Sequence, residues 1–141
     1  MIEKHASAIW TGSLKEGGGT LTTQSSALSA MPYTFANRFE DGRGTNPEEL
    51  IGAAHAGCYA MFLSALLSGA GVVPEKIEAT STISLDPTTE GSPTVTKAAL
   101  KVTVKAPTDA AAIRDFAEKA KAGCPISKLL KAEVTLDLTV V

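Results

Sequence analysis

From Leu50 to Pro74 the chain runs for 25 residues without a formal charge, and this stretch constrains everything around it. As a helix rising ~1.5 Å per residue it would be long enough to cross a bilayer. Its flanks argue otherwise. Pro47, Glu48 and Glu49 precede it, His55 lies inside it, and no Lys or Arg follows until Lys76. No positive-inside signal therefore supports insertion. The competing reading is a helix buried on nearly all sides of a soluble domain. Gly52, Ala53, Ala56 and Gly57 would admit another backbone at close range. A chain of 141 residues has little with which to cover such a helix completely. A second copy is expected to cover it, which makes the chain a homodimer.

The helix has a legible start. Asn46 is a good N-cap, Pro47 suits the first helical position, and Glu49 falls three residues after Asn46 as in a capping box. It is expected to run to about Ser68, where Gly69 and Gly71 end it. Before it, Lys4 to Leu14 and Gly19 to Leu28 read as strands around the turn Glu16-Gly17-Gly18-Gly19. Met31 to Phe39 reads as a short extended piece leading to Arg38, and Asp41-Gly42-Arg43-Gly44 as a loop. After it, Ile77 to Leu85 and Thr94 to Ala106 are expected strands around Asp86-Pro87-Thr88. A second helix is expected from about Asp109 to Ala122, with Ile113, Phe116 and Ala120 as its apolar stripe. Cys124-Pro125 restarts a short helix through Leu130. A last strand alternates Val134, Leu136, Leu138 and Val140 with polar residues. Strands, helix, two strands, helix, strand is an α+β order.

Hydrophobic residues make up 44% and charged residues 20%, which suits one globular domain over residues 1–141 and not a disordered segment. Thirteen basic against fifteen acidic side chains give a net charge of −2. With no basic stripe, nucleic acid is not an expected partner. The opening Met-Ile-Glu-Lys-His has no apolar leader, so a cytoplasmic, thiol-reducing setting is expected. The two cysteines are too few for a disulfide scaffold and not spaced as a zinc site. No phosphate loop, dinucleotide fingerprint or nucleophile elbow implies a cofactor.

Cys58 falls mid-helix, where a cysteine is commonly a small buried hydrophobe. Cys124 falls at a helix N-cap, where free backbone N–H groups favour a thiolate; a cysteine that merely ends a turn would look the same. Neither is specific alone. Arg38 lies among Tyr33, Phe35 and Phe39, either solvated or drawn into a partly apolar site. Glu49 has a structural task in the capping box, which leaves Glu48 as the spare carboxylate. His5 and His55 are neither paired at metal spacing nor near a Ser or Asp constellation, and read as structural. Trp10 reads as a core or rim aromatic.

Together these positions carry a resemblance. Asn46-Pro47-Glu48-Glu49-Leu50-Ile51-Gly52-Ala53-Ala54-His55-Ala56-Gly57-Cys58 resembles the signature of the OsmC/Ohr hydroperoxide reductases. Lys121-Ala122-Gly123-Cys124-Pro125-Ile126-Ser127 resembles their second motif. Ile9-Trp10-Thr11-Gly12 and Tyr33-Thr34-Phe35-Ala36-Asn37-Arg38-Phe39 are similar to the OsmC branch. The resemblance spans essentially the whole chain. It implies antiparallel sheets around a long buried helix in an intertwined homodimer, with active sites at the subunit interface. It also implies a cysteine peroxidase, with Cys58 as peroxidatic and Cys124 as resolving cysteine. Arg38 would contact the reactive sulfur and Glu48 would hold Arg38. The substrate would be an organic hydroperoxide (hydrogen peroxide less efficiently) and the reductant an external dithiol, in oxidative or osmotic stress defence.

Glu48 and Cys58 are ten residues apart on one helix, about 15 Å along its axis. One arginine reaching both within one subunit is therefore not expected, and Glu48 is expected to meet Arg38 and Cys58 from the opposite chain. Two other function classes stay open: a non-enzymatic stress-response binding module with an apolar dimer-interface pocket, and a thiol-dependent transferase or sulfur carrier using Cys58 alone.

Overall fold

The computed structural model describes residues 1–39, 44–88 and 90–141. The loop expected at Asp41-Gly42-Arg43 lies outside the described residues. Packing divides the chain into two compact units, Met1–Leu50 and Ile51–Val141.

In the first unit, β1 (Ala6–Thr11), β2 (Gly18–Thr23) and β3 (Met31–Tyr33) form an antiparallel sheet in that order. The first two strands are shorter than expected because serine and threonine side chains capture the backbone. After β2 the Thr23 Oγ1 accepts from Leu28 N at 3.0 Å and Thr23 N donates to Leu28 O at 2.9 Å. Gly19 sits beneath the Trp10 and Tyr33 rings, whose centroids are 5.3 Å apart. A Cβ there would stand 2.6 Å from the Tyr33 ring, so only glycine admits this aromatic pair.

The segment expected to run extended to Arg38 instead turns into a short helix, α1 (Phe35–Phe39). Thr34 and Asn37 explain the difference. Asn37 N donates to Thr34 Oγ1 at 3.3 Å, and Thr34 N donates to Asn37 Oδ1 at 2.9 Å. That is a reciprocal cap in which asparagine takes the place of the usual Glu or Gln.

The long helix α2 (Pro47–Gly69) starts where the capping signals place it. Glu49 N donates to Asn46 Oδ1 at 2.8 Å. The Glu49 carboxylate turns to the Asn46 side-chain amide and the Thr45 hydroxyl. Its end is a Schellman turn: Val72 N donates to Leu67 O and Gly71 N to Ser68 O, with Gly71 at φ +79.

In the second unit, β4 (Lys76–Asp86) pairs antiparallel with β5 (Thr94–Lys105), and β5 pairs parallel with β6 (Glu133–Val140). The expected antiparallel sheets are present, with β5–β6 as the one parallel pair among the described strands. The connection from β5 to β6 holds α3 (Ala110–Gly123) and α4 (Pro125–Leu129), the long helical crossover that parallel neighbours require. Tyr59, Leu63 and Leu67 of α2 form the core with Leu100, Val102 and Val104 of β5 and Ile113 and Ala120 of α3. Within one chain α2 is not buried on nearly all sides. A stripe at Gly52, His55, Tyr59, Leu63 and Leu67 is buried, while Ala53, Ala54, Gly57, Met61 and Ala65 are exposed.

Candidate active site

The two cysteines, 66 positions apart in sequence, meet at the junction of α2 with the α3–α4 elbow. Two glycines make the approach possible. A Cβ on Gly52 would stand 2.8 Å from the Ser81 carbonyl, so glycine lets α2 press against β4. A Cβ on Gly123 would stand 2.9 Å from the Phe62 ring, one turn beyond Cys58. With both faces clear, Cys58 and Cys124 Sγ lie 3.0 Å apart as free thiols. Cys124 is fully buried and Cys58 half-buried.

Their environments pull them in opposite directions. Burial, and then the hydrogen bond and charge of Cys124, push the Cys58 thiol up, with the Ile126 N–H acting the other way. Burial would also raise Cys124, but hydrogen bonds from Cys58, from the N–H groups of Ser127 and Ile126 and from the Ser127 hydroxyl outweigh it and bring it down. Cys124 is indeed the N-cap of α4, with Pro125 at the first helical position, as the spacing predicts. Of the two, Cys124 is the thiol whose surroundings favour ionisation. Among the described residues of this unit, no cation bears on the Cys58 sulfur.

In the first unit, Arg38 and Glu48 form a second pair. Arg38 Nε donates to Glu48 Oε1 at 3.0 Å, from α1 to the first turn of α2. The expectation that Glu48 meets Arg38 from the opposite chain is thereby corrected, because the helical turn after Thr34 carries Arg38 to Glu48 of the same chain. The arginine side chain keeps 42% of its surface exposed against 11% for the glutamate. Glu48 Oε2 is buried and has no hydrogen-bond partner among the described residues. The pair is thus monodentate, with the outer guanidinium nitrogens not used by it.

One residue eluded the sequence reading. His55, read as structural, is fully buried between two serines: Nδ1 lies 2.7 Å from Ser81 Oγ and Nε2 2.9 Å from Ser127 Oγ. No local signal reveals this, since the partners are 26 and 72 residues away.

The OsmC-like protein family matches residues 40–139. The peroxiredoxin OsmC of Escherichia coli strain K12 is 50% identical over 137 residues, covering 96% of this chain and 95% of that protein. The chain belongs to the OsmC family. The same identity and coverage hold for the peroxiredoxin OsmC of Shigella flexneri. The OsmC fold is also shared with an OsmC-like protein from Vibrio cholerae (TM-score 0.77, 17% identity, 99% of this chain and 100% of that one). The organic hydroperoxide resistance protein OhrB of Bacillus subtilis has it too (TM-score 0.73, 22% identity, 97% and 98%).

Proposed function

We propose that this OsmC-family chain is a thiol-dependent hydroperoxide reductase in which Cys58 and Cys124 form the redox pair. The observation that carries the reading is the 3.0 Å separation of two free thiols that sequence keeps 66 residues apart. The Cys58 thiolate attacks a hydroperoxide oxygen, releasing the alcohol and leaving a sulfenic acid. Cys124 condenses with it to a disulfide, and an external dithiol restores both thiols. Organic hydroperoxides are the preferred substrates, with hydrogen peroxide reduced less efficiently.

Ionisation alone does not supply the rate. A free cysteine near pKa ~8.5 is a few per cent thiolate at neutral pH. Complete ionisation therefore gains at most about 30-fold, or about 2 kcal/mol. Burial makes the Cys58 deficit larger. A cation must favour the thiolate and stabilise charge developing on the peroxide oxygens, the larger effect in a dry site. Arg38 is that cation, oriented by Glu48.

Arg38 is held by Glu48 of its own chain, and about 15 Å of helix separates Glu48 from Cys58. The pair therefore serves the cysteines of a second copy. The exposed apolar face of α2 at Ala53, Ala54, Gly57 and Met61 supports such a homodimer.

The test is a thiol count in denaturant before and after one equivalent of an organic hydroperoxide. Loss of both thiols per peroxide, reversed by a dithiol, is the expected result. Survival of both would overturn the reading and favour a binding module. Loss of one alone would favour single-cysteine chemistry on Cys58.

A further inference from the structure

The proposed chemistry leaves one buried group without a role. His55 has Nδ1 2.7 Å from Ser81 Oγ on β4 and Nε2 2.9 Å from Ser127 Oγ on α4. It lies three residues before Cys58 on α2, as Ser127 lies three residues after Cys124 on the elbow. Residues three apart share a helix face, with Cβ atoms about 5–6 Å apart. Because the pairs match in reversed order, His55–Ser127 and Cys58–Cys124 are successive rungs between two antiparallel turns. One rung is imidazole to hydroxyl, the other two sulfurs 3.0 Å apart.

The rungs differ in permanence. The sulfur rung is covalent only after oxidation. In the reduced chain α4 needs another anchor, because a helix of five residues is too short to persist on its own hydrogen bonds. Leu129 is 73% exposed and offers none, and Ile126 is only partly buried at the margin of the core. Ser127 is the buried residue of α4. Its bond to His55 ties the helix to the sheet, since the same ring bonds Ser81, which pairs with the core residue Leu100. Gly52, one turn before His55, lets α2 lie against the Ser81 carbonyl. Within α4, Lys128 N donates to Cys124 O at 3.0 Å, so a fixed Ser127 fixes the turn that carries Cys124. A neutral imidazole offers one donor and one acceptor, and a hydroxyl serves as either. Both bonds of the bridge are therefore made in either tautomer.

We propose that His55 is a positioning residue for disulfide formation, its bridge from Ser81 to Ser127 holding the elbow so that the reduced sulfurs stay within reach of each other. The inference rests on the reading of Cys58 and Cys124 as the redox pair. In that step the Cys124 sulfur attacks the Cys58 sulfenic sulfur. The S–S bond forms as the S–O bond breaks, Cys124 sulfur is oxidised as the sulfenic sulfur is reduced, and the departing hydroxide takes the thiol proton to become water. Holding the two sulfurs together replaces a search by a short approach. The rungs also act on each other: closing either one lowers the entropy lost on closing its neighbour. Without the hydrogen-bonded rung the disulfide is weaker relative to the dithiol, and the reduction potential rises. A loss of packing that weakened both redox forms equally would leave the potential unmoved.

The experiment equilibrates the full chain in glutathione buffers without peroxide, where one glutathione disulfide oxidises the pair and yields two glutathione thiols. Ser127→Ala is expected to lower the oxidation equilibrium constant about tenfold, or about 30 mV in potential. Ser127→Thr keeps the hydroxyl and restores the constant. His55→Asn, whose amide falls short of Ser127, shifts it equally, and the double variant shifts it no further. An unchanged constant in Ser127→Ala, or additive shifts in the double variant, would overturn the proposal. In rapid mixing with an organic hydroperoxide, sulfenic acid formation in Ser127→Ala keeps its wild-type rate while disulfide formation slows about tenfold. Equal slowing of both steps would also overturn it. One measurement needs no variant to fold. The amides of Lys128 and Leu130, which donate within α4, are expected to stay protected from hydrogen exchange in the reduced wild-type chain; free exchange there would sink the idea. Failure of the parent reading looks different: the wild-type chain keeps both thiols under hydroperoxide. The glutathione equilibrium and the amide exchange still decide the role of His55 in that case.

Discussion

Arg38–Glu48 and Cys58–Cys124 each meet at 3.0 Å, yet they are made by opposite means. The ion pair forms within a short stretch of sequence, between a one-and-a-half-turn helix and the first turn of the next. Its arginine stays largely in water. The thiol pair forms across 66 residues, with Cys124 fully buried and attached to the core of Tyr59, Leu63, Leu100 and Ile113. A guanidinium holds its charge anywhere, so it needs only a local anchor and freedom to meet a substrate. A thiol is reactive only in a controlled environment, and that control comes from packing. In this chain the ionic half of the proposed site is locally encoded and the redox half is built by the core.

The largest test of that contrast is Cys58→Ser. Peroxide turnover is expected to fall to background, on the order of 10⁶-fold, the scale of removing a nucleophile. A steady-state peroxidase assay with dithiol present reads it, and near-normal turnover would break the redox half outright. Next is Arg38→Gln, expected to lower kcat/KM for an organic hydroperoxide by roughly 10²–10³, as for loss of one preorganised charge stabiliser. Mixing this variant with Cys58→Ser sharpens the comparison. Subunit exchange regenerates activity only if Arg38 serves the partner's cysteines.

Stability variants should split the same way. Leu63→Ala, at a fully buried position, is expected to cost about 2–5 kcal/mol in denaturant unfolding. Ile9→Ala, at a position 68% exposed, is expected to stay within about 0.5 kcal/mol. Between the two lies Asn46→Ala, which removes the α2 cap and should cost about 1 kcal/mol. If the cap change exceeded the core change, local encoding would dominate both halves.

pH adds a signed test. Burial first, then the charges of Glu118 and Cys124, raise the Tyr59 hydroxyl above its ordinary value of 10.0. A group raised on folding contributes stability that is complete below the unfolded pKa and lost as pH rises toward the folded one. Unfolding free energy should therefore decline above about pH 10, and Tyr59→Phe should flatten that decline. The variant also gives up the Tyr59 hydrogen bond to Ala117 O at 3.1 Å, worth about 1 kcal/mol. An identical alkaline slope in wild type and variant would assign the effect elsewhere.

Much of this architecture was legible. Asn46, Pro47 and Glu49 fixed the start of α2 and Gly71 its end, because caps are satisfied within one turn. Ala98, Leu100, Val102 and Val104 marked the buried face of β5 by their period of two. The α1 turn was also written locally, in Thr34 and Asn37, but in a variant of the usual capping pattern. The Arg38–Glu48 contact followed from that turn and was misassigned with it.

By itself, the sequence determined the order of elements, their boundaries at capped ends, the family, and the four residues proposed to carry the chemistry. Each of these depends on neighbours within a turn or a strand pair, or on motifs read along the chain. Tertiary structure alone decided that β6 lies parallel to β5, that Gly52 and Gly123 let α2 close on β4 and on the elbow, and that His55 joins Ser81 to Ser127. Those outcomes depend on which surfaces fit once loops of 26 to 72 residues have closed. Hydrophobic periodicity says which face of an element is buried; only packing says what that face meets.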